Sequence, residues 1–438
     1  MIKIILHQIW NERRQNGWLF LEIVAVSIFL WLAIDPLFIL ESRRSIPAGY
    51  VADNLYRIKL KEYKETHIKY NKNCRENSLE VCRNAFNVVK SIPEVEYVCT
   101  AIDRSYPNSG SISSSICYID STLSADGETK SLGAVFYQIT SEEGDNYPAT
   151  FGLVNALTGE TAQIVNNGNV NSVFVSRSFA MEGFGTLNVV GKKIRDSGGK
   201  SELMICGVVE DIPFQQYANP THVVFHTYPS YESRYMGVFD MFIRLKEGVD
   251  GKAFMRRFNE EITPQLGGGN IYCGGIKSHI DERDELNEMM GYGNTYRIQT
   301  ALTLFAVLCT FLGVVGTFWM RANARRRDIG LMRSVGASSG RIVAQFVVEA
   351  VLLVTVAFLV AQPLLMHKVY AMGFAEPLVD FITRTDVKGD YIHDIAWVHF
   401  VAVSIISYII ILLVALSGVV IPACRIARIL PSEALRDE

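Results

Sequence analysis

The stretch RRRDIGLMRSVGASSGRI, residues 325–342, carries the densest positive charge of the chain and lies between two strongly apolar runs. The run before it covers residues 299–320, and the run after it covers residues 343–366. A helix needs about 20 mostly apolar residues to cross a bilayer, and each run is long enough. Residues 321–342 are therefore predicted to form a short connection at a membrane surface between two spanning helices.

Two further apolar runs lie towards the ends of the chain, at residues 18–40 and 397–421. The first is too long for a signal peptide, and no small-residue cleavage site follows it, which indicates an uncleaved span. The other three runs are long and lack a polar face, which argues against buried helices of a soluble protein. The sequence therefore predicts a membrane α-helical protein with four transmembrane helices, at residues 18–40, 298–320, 343–366 and 397–421.

Arginine is unevenly distributed among the connections, and short connections rich in arginine and lysine stay in the cytoplasm. The connection between spans two and three contains Arg321, Arg325, Arg326, Arg327, Arg333 and Arg341. The tail after the last span, residues 422–438, contains Arg425, Arg428 and Arg436. Both segments are therefore predicted to be cytoplasmic, and an even number of spans places the amphipathic N-terminal segment, residues 1–17, there too. Residues 41–297 and the short loop 367–396 then lie outside.

The segment 41–297 has the patterns of a large extracytoplasmic α+β domain inserted between the first two spans. Strands are predicted at residues 56–60, 172–176, 203–209 and 241–245 from alternating or continuous apolar residues. One predicted helix starts near Ser78 and places Leu79, Cys82, Phe86 and Val89 on one face. A second follows Asp250 and places Phe254, Phe258 and Ile262 together. Ser78 and Asp250 are the predicted N-caps.

The large segment contains no convincing catalytic or metal-binding motif. SGGKS, residues 197–201, resembles the end of a phosphate-binding loop, but Ile194 occupies the position that requires glycine, and the chain has no other match. His222 and His226 have a zinc-like spacing, but in an extended segment they lie roughly 13 Å apart, too far for one metal. They are interpreted as structural. The chain is predicted to be a non-catalytic subunit with no cofactor and no metal.

Charge and cysteine content limit the remaining possibilities. The net charge is −3 and 49% of the residues are apolar, which gives no indication of a nucleic-acid partner. Six cysteines lie in the large segment: Cys74, Cys82, Cys99, Cys117, Cys206 and Cys273. In an oxidising compartment six cysteines can pair in fifteen ways. Buried free thiols are the alternative, and the sequence leaves the choice open.

The basic connection resembles the signature of the FtsX/MacB-type ABC permeases, the type VII or mechanotransmission class. The resemblance rests on Arg325–Arg327, Asp328, Ile329-Gly330, Gly336-Ala337-Ser338 and the FVVEA sequence at 346–350. The ending IPACRIARILPSEALRDE, residues 421–438, is similar to the family's ending. Within the large segment, VFVSRSFAMEGFG and MICGVVEDIP resemble the MacB periplasmic domain. The FtsX-like permease domain is expected at about 298–432.

The resemblance implies a permease subunit in the bacterial inner membrane whose periplasmic domain moves when a separate cytosolic ATPase hydrolyses ATP. Such permeases pair with a second copy or a related permease, and some act with a further periplasmic or outer-membrane partner. Their cargo or target ranges over effluxed small molecules, exported lipoproteins or peptides, and envelope regulation. The expected ATPase-coupling residues are Arg325, Arg326, Arg327, Asp328, Ile329, Gly330, Met332, Arg333, Val335, Gly336 and Ala337. Glu349 is expected to be structural in span three.

Local patterns add four expectations. Ile329, Met332 and Val335 form an apolar stripe of a short helix that ends at Gly336, and Ser338 begins the next helix. Residues 281–299 form an arm leading into span two, weakened by two glycines. Glu22 and Asp35 are expected to reach the membrane interface from the ends of span one. Pro363 is expected to kink span three unless neighbouring helices compensate.

Two other functions remain compatible with the sequence. One is a membrane-anchored receptor that senses a ligand outside and signals through a cytosolic partner other than an ATPase. The other is an anchored envelope hydrolase, for which a catalytic constellation is lacking. The basic connection also has a simpler interpretation, an ordinary cytoplasmic loop resting on anionic lipid headgroups.

Overall fold

The computed structural model describes residues 13–102, 105–109, 114–120, 129–140, 146–162, 172–196, 202–228, 239–324, 331–332, 334–376 and 392–426. The chain divides into two compact units. One, called the helical unit, comprises Met1–Ser42, Gly293–Val379 and Asp390–Glu438. The other, called the sheet domain, is built mainly from Arg43–Tyr292.

The helices and strands follow one another in a simple order. The first half contains α1 (Arg13–Arg44), β1 (Leu55–Glu62), α2 (Ser78–Lys90), β2 (Val95–Ile102), β3 (Ser114–Ile119), β4 (Lys130–Thr140), α3 (Tyr147–Phe151), β5 (Ser172–Ser176) and α4 (Arg177–Phe184). The second half contains β6 (Lys193–Arg195), β7 (Glu202–Val209), β8 (Ile212–Pro213), β9 (Pro220–Thr221), β10 (Val223–Tyr228), β11 (Phe239–Leu245), α5 (Gly251–Arg257), β12 (Ile271–Ser278), α6 (His279–Met289), α7 (Tyr292–Ala324), α8 (Ser339–Met372) and α9 (Ala396–Ile426).

Ten strands of the sheet domain form one sheet in the order β10-β5-β7-β6-β3-β4-β2-β11-β1-β12. An additional parallel pairing of β10 with β4 closes six of these strands into a ring. The strands β2, β11, β1 and β12 extend from the ring as an open antiparallel wing. All four strands predicted from the sequence are present, at β1, β5, β7 and β11.

The two predicted helices pack on the wing of the sheet. Cys82, Phe86 and Val89 of α2 are buried in the same cluster as Phe254 and Phe258. Asp250 caps α5 as predicted, because its side chain accepts hydrogen bonds from the backbone N–H groups of residues 252 and 253. α2 begins at Ser78, directly after a 3-10 helix, Lys72–Asn77, and the N-cap role expected of the Ser78 side chain stays a prediction.

The helical unit contains four helices, α1, α7, α8 and α9, that are long and apolar enough to cross a membrane. Each extends beyond its apolar run, because the polar residues at the ends continue the same helix. Residue Pro363 lies inside α8, and the helix is continuous across it. The predicted N-terminal segment, the loop between spans three and four and the C-terminal tail lie largely outside the described residues.

The predicted arm consists of two helices rather than one. α6 ends at Met289, and α7 begins at Tyr292. Between them, Gly291 has φ +79°, in the left-handed region that favours glycine. The helical arm is therefore interrupted at Gly291, as expected from the glycines in its sequence.

All eight cysteines lie among the described residues, and none of these eight forms a disulfide. Burial raises the pKa of Cys82 and of Cys117 to about 12. These two side chains pack in the apolar interior as small hydrophobic groups. The structure thus favours the second of the two alternatives for the cysteines.

Candidate functional site

The connection between α7 and α8 ends in a defined helix-stop structure. The N–H of Val335 donates to the carbonyl of Leu331 at 3.2 Å, and the N–H of Ala337 donates to the carbonyl of Met332 at 3.0 Å. Gly336, between them, has φ +97°. A bond that spans five residues around a left-handed glycine is the Schellman arrangement, so the expected helix end at Gly336 is observed.

The next helix begins immediately after this stop. Ser338 caps α8, because its Oγ accepts a hydrogen bond from the backbone N–H of Arg341 at 3.4 Å. The short turn before Gly336 exposes its apolar side chains: Leu331 is 58% exposed and Val335 is 83% exposed. The connection therefore presents apolar surface at the point where it is joined, through two residues, to a 34-residue helix.

Only part of the predicted coupling set can be placed. Met332, Val335, Gly336 and Ala337 are described, whereas Arg325, Arg326, Arg327, Asp328, Ile329, Gly330 and Arg333 lie outside the described residues. Glu349 is buried in α8 at 4% exposure. The coupling role of the whole set and the structural role of Glu349 stay predictions.

The expectation that Asp35 reaches the membrane interface is wrong. Its side chain is 1% exposed and lies 2.8 Å from Nε2 of His399 in α9. Glu22 is half-buried, and its carboxylate accepts a hydrogen bond from Oγ1 of Thr317 in α7 at 2.9 Å. Both carboxylates thus find hydrogen-bond partners on other helices. The sequence of span one alone does not reveal these partners.

A buried ionic cluster attaches α6 to the sheet domain. Arg57 of β1 is 8% exposed and lies between two carboxylates on different elements. Its guanidinium is 2.9 Å from Asp240 of β11 and 3.1 Å from Glu282 of α6. The same group lies 5.0 Å from the ring centre of Tyr106. One side chain therefore connects the sheet, the arm and an aromatic cluster.

His279, the first residue of α6, is enclosed by aromatic rings. It is 1% exposed, and its Nε2 lies 3.3 Å from the hydroxyl of Tyr50, which accepts a hydrogen bond from Asn108 at 2.8 Å. The rings of Tyr50, Tyr106, Phe151 and Phe242 surround it at centre distances from 5.6 to 6.2 Å. Burial, with smaller contributions from Arg283 and Arg57, lowers the pKa of His279 to about 3.

The depressed pKa of His279 predicts acid sensitivity of the sheet domain. Between pH 6.5 and about 3 the unfolded chain binds a proton at this residue that the folded chain does not, so stability falls as the pH falls. From pH 7 to pH 5 the expected loss from this residue is about 2 kcal/mol. In His279→Phe this part of the pH dependence should disappear. Hydrogen exchange of β1 and β11 at both pH values measures it, and an unchanged pH dependence in the variant would contradict the assignment.

The histidines suspected of metal binding have other surroundings. His222 is buried, with Nδ1 3.1 Å from Oγ of Ser178 and Nε2 3.0 Å from a carboxylate oxygen of Glu182. His226 lies further along the same extended segment, in β10. Among the described residues, no group of three metal-ligating side chains occurs. The structural interpretation of His222 agrees with these contacts.

Four membrane-crossing helices, a large domain between the first and second, and a capped connection between the second and third define a permease-type membrane protein. The chain belongs to the MacB/FtsX-like ABC permease family. The family described as the MacB-like periplasmic core domain matches residues 43–261, which is half of the chain. The FtsX-like permease C-terminal family matches residues 300–431. The predicted family and fold class, four spans with an α+β periplasmic domain between the first two, are confirmed.

Individual relatives match a smaller part of the chain. The macrolide export ATP-binding/permease protein MacB of Salmonella typhimurium is 27% identical over 172 residues, 38% of this chain and 25% of that protein. MacB 1 of Yersinia pestis is 28% identical over 160 residues, 35% of this chain and 23% of that protein. The chain thus aligns with about a quarter of the length of these curated relatives.

Solved structures of periplasmic and extracellular domains are also similar. The periplasmic region of MacB from Actinobacillus actinomycetemcomitans has a TM-score of 0.32 and 15% identity, covering 55% of this chain and 94% of that one. The extracellular domain of YknZ, a transporter from Gram-positive bacteria, has a TM-score of 0.29 and 10% identity, covering 50% and 98%.

Proposed function

We propose that the protein is the permease subunit of an ABC system in which a separate cytosolic ATPase drives movement of the periplasmic domain. We also propose that it pairs with a second permease subunit, which is either an identical copy or a homologue. In this proposal the protein lies in the inner membrane with both termini in the cytoplasm. The carrying observation is the connection between α7 and α8. It exposes Leu331 and Val335 to a partner and is joined to α8 by the capped link at Ser338.

The geometry of the link supports transmission of movement. A helix resists compression along its axis because each turn is closed by backbone hydrogen bonds. The Schellman stop pairs the carbonyls of Leu331 and Met332, and the side chain of Ser338 accepts from one N–H in the first turn of α8, that of Arg341. With only Gly336 and Ala337 between the two helices, a displacement of the turn reaches α8 with little loss.

A second route leads from the spans to the periplasmic domain. α7 is a single 33-residue helix that includes span two, and it is preceded by α6. α6 is fixed to β1 and β11 by Arg57 and is anchored by the enclosed His279. The arm therefore has a firm attachment to the sheet, which a lever requires.

The substrate or target stays open among the classes that the family serves. The relatives named for macrolide export make efflux of a small molecule one candidate, beside export of lipoproteins or peptides and regulation of envelope enzymes. The chain itself has no nucleotide-binding motif of the G-x-x-x-x-G-K-[ST] type. ATP is accordingly assigned to the partner subunit.

The test is a pull-down of the tagged full chain from its native membrane in detergent, followed by an ATPase assay of the eluate. We expect an ATPase to co-purify with the natural chain. Reversal of charge at Arg325, Arg326 and Arg327 to glutamate should remove it. The matched control reverses three exposed arginines of the sheet domain, Arg177, Arg256 and Arg257, and should retain the ATPase.

Two results would contradict the proposal. A clean preparation that contains a cytosolic partner without ATPase activity would favour the membrane-anchored receptor. Retention of the ATPase by the charge-reversed variant would refute the role of these arginines in the coupling connection.

A further inference from the structure

A fully enclosed polar contact joins three segments of the helical unit. Asp35 of α1 and His399 of α9 are 1% and 0% exposed, and Oδ1 of the aspartate lies 2.8 Å from Nε2 of the histidine. The other carboxylate oxygen, Oδ2, accepts a hydrogen bond from the backbone N–H of Ala375 at 2.9 Å. Ala375 follows the end of α8, so one carboxylate contacts segments from three of the four long helices.

The partners of His399 define how many protons the pair holds. Nδ1 lies 3.2 Å from the carbonyl oxygen of His393, and a carbonyl only accepts hydrogen bonds, so Nδ1 carries a proton. The contact between Nε2 and Asp35 then needs one more proton, on either the nitrogen or the oxygen. In both forms the pair has no net charge. The pair therefore places no net charge inside the apolar bundle, and the form with a neutral acid and a neutral imidazole places no ionised group there.

Aromatic side chains complete the enclosure. The ring of Phe374 stacks on His399 at a centre distance of 4.0 Å and an interplanar angle of 11°. The ring of Phe38 covers it at 5.1 Å. His393, whose carbonyl accepts from His399, is itself buried and has its Nδ1 2.8 Å from Oγ of Ser42. Two aromatic rings and the carbonyl of His393 therefore hold the imidazole of His399 in place.

One turn earlier on α1, a second polar contact repeats the same connection. Nε1 of Trp31, which is 0% exposed, donates to Oγ of Ser404 in α9 at 3.1 Å. Ser404 donates in turn to Oε1 of Gln362 in α8 at 2.9 Å. Two successive turns of α1 are thus tied to both α9 and α8.

We propose that Asp35 and His399 are positioning residues that lock the C-terminal half of α1 to α9 and to the segment after α8. The lock makes these helices move as one body, so span one cannot slide alone when the coupling connection is displaced. This inference rests on the proposed function for its role in transmission. The lock itself is a property of the chain alone and can be tested without any partner.

The first test is a double-mutant cycle on the purified full chain in detergent. Asp35→Ala and His399→Ala should each lower the thermal unfolding midpoint by on the order of 10 °C, because each leaves its partner buried without its hydrogen bond. The double variant should lose no more than either single variant. Thr355→Val is the control: it removes one neutral hydrogen bond between α8 and α9, to Tyr408, and should cost on the order of 3 °C.

The second test uses a conservative variant. Asp35→Asn keeps an oxygen for the N–H of Ala375 and supplies an amide N–H to Nε2 of neutral His399, so it preserves the lock without the acid. With the co-purified ATPase, Asp35→Ala should lose stimulation at least tenfold, whereas Asp35→Asn should stay within about threefold of the natural chain.

The outcomes separate the lock from the proposed function. Additive thermal losses in the cycle would overturn the lock whether or not an ATPase is found. A non-additive cycle without any co-purifying ATPase would support the lock and contradict the proposed function. Normal stimulation of the ATPase by Asp35→Ala would overturn the role of the lock in transmission. An equal loss of stimulation in Asp35→Asn and Asp35→Ala would overturn the positioning role, because it would show that the carboxylic acid itself is required.

Discussion

Replacement of Arg57 by methionine is expected to destabilise the sheet domain more than any single surface change. The methionine fills a similar volume but leaves Asp240, 4% exposed, and Glu282 without the guanidinium that lies 2.9 and 3.1 Å from them. Removing one partner of a buried ion pair costs about 3–5 kcal/mol, because the remaining charge is kept from water. The loss should appear in β1, β11 and the start of α6, the three elements that Arg57 connects.

Amide hydrogen exchange of the full chain measures this effect by element. If exchange in β1 and β11 proceeds through opening of the sheet, their rates should rise by roughly a hundred- to several thousand-fold. The control is Arg177→Met, which breaks an exposed ion pair with Glu210 whose side chains are 44% and 36% exposed. That change should cost less than about 1 kcal/mol. Equal responses of the two variants would show that burial of the Arg57 cluster contributes nothing.

Replacement of Gly336 by valine is expected to abolish stimulation of the partner ATPase while the chain remains folded. Gly336 has φ +97°, and a β-branched residue is strongly disfavoured there. A strained backbone of this kind costs about 1–3 kcal/mol, which the short turn cannot recover from packing because Leu331 and Val335 are exposed. The Schellman bond from Ala337 to Met332 should open, and the turn should lose its fixed relation to α8.

Gly340→Ala provides the matched control for this prediction. A Cβ at either glycine meets no atom within 4 Å, so the two substitutions differ in backbone conformation and not in available space. Gly340 is the second residue of α8, where alanine adopts the helical backbone without strain. Stimulated ATPase activity should be at least tenfold lower in Gly336→Val and unchanged in Gly340→Ala. Full stimulation in both variants would contradict the role of this connection.

The features predicted correctly from the sequence are local ones. Apolar runs predicted four spans, and short apolar patterns predicted β1, β5, β7 and β11, because each depends on neighbouring residues. Caps at Asp250 and Ser338 and the stop at Gly336 were also predictable, since each depends on one side chain or one backbone angle. The N-cap prediction for Ser78 concerns a side chain outside the described ones and stays a prediction.

The features that were missed all depend on residues far apart in the chain. Asp35 and His399 are separated by 364 positions, and Arg57 and Glu282 by 225. Asp35 alone resembles an acid near the end of a span, and only its partner shows that it is buried. The sequence shows an isolated acid in span one and an isolated histidine in span four. Neither residue identifies the other as its partner. The pairing of β10 with β4, which closes six strands into a ring, likewise cannot be predicted from the sequence of either strand.

The wing of the sheet has a mechanical consequence for the two chain segments that enter and leave it. β1 follows α1 in the chain, β12 precedes α6, and these two strands are paired antiparallel, so both attachments are at the same end of one ladder. A common displacement of both attachments carries the ladder along without distorting it. Opposite displacements along the strand axes load the cross-strand hydrogen bonds together in shear, whereas displacements that pull the two attachments apart open the ladder one bond at a time from that end. The wing therefore follows shared motion freely, resists sliding of one attachment past the other, and yields most easily when the two attachments are drawn apart.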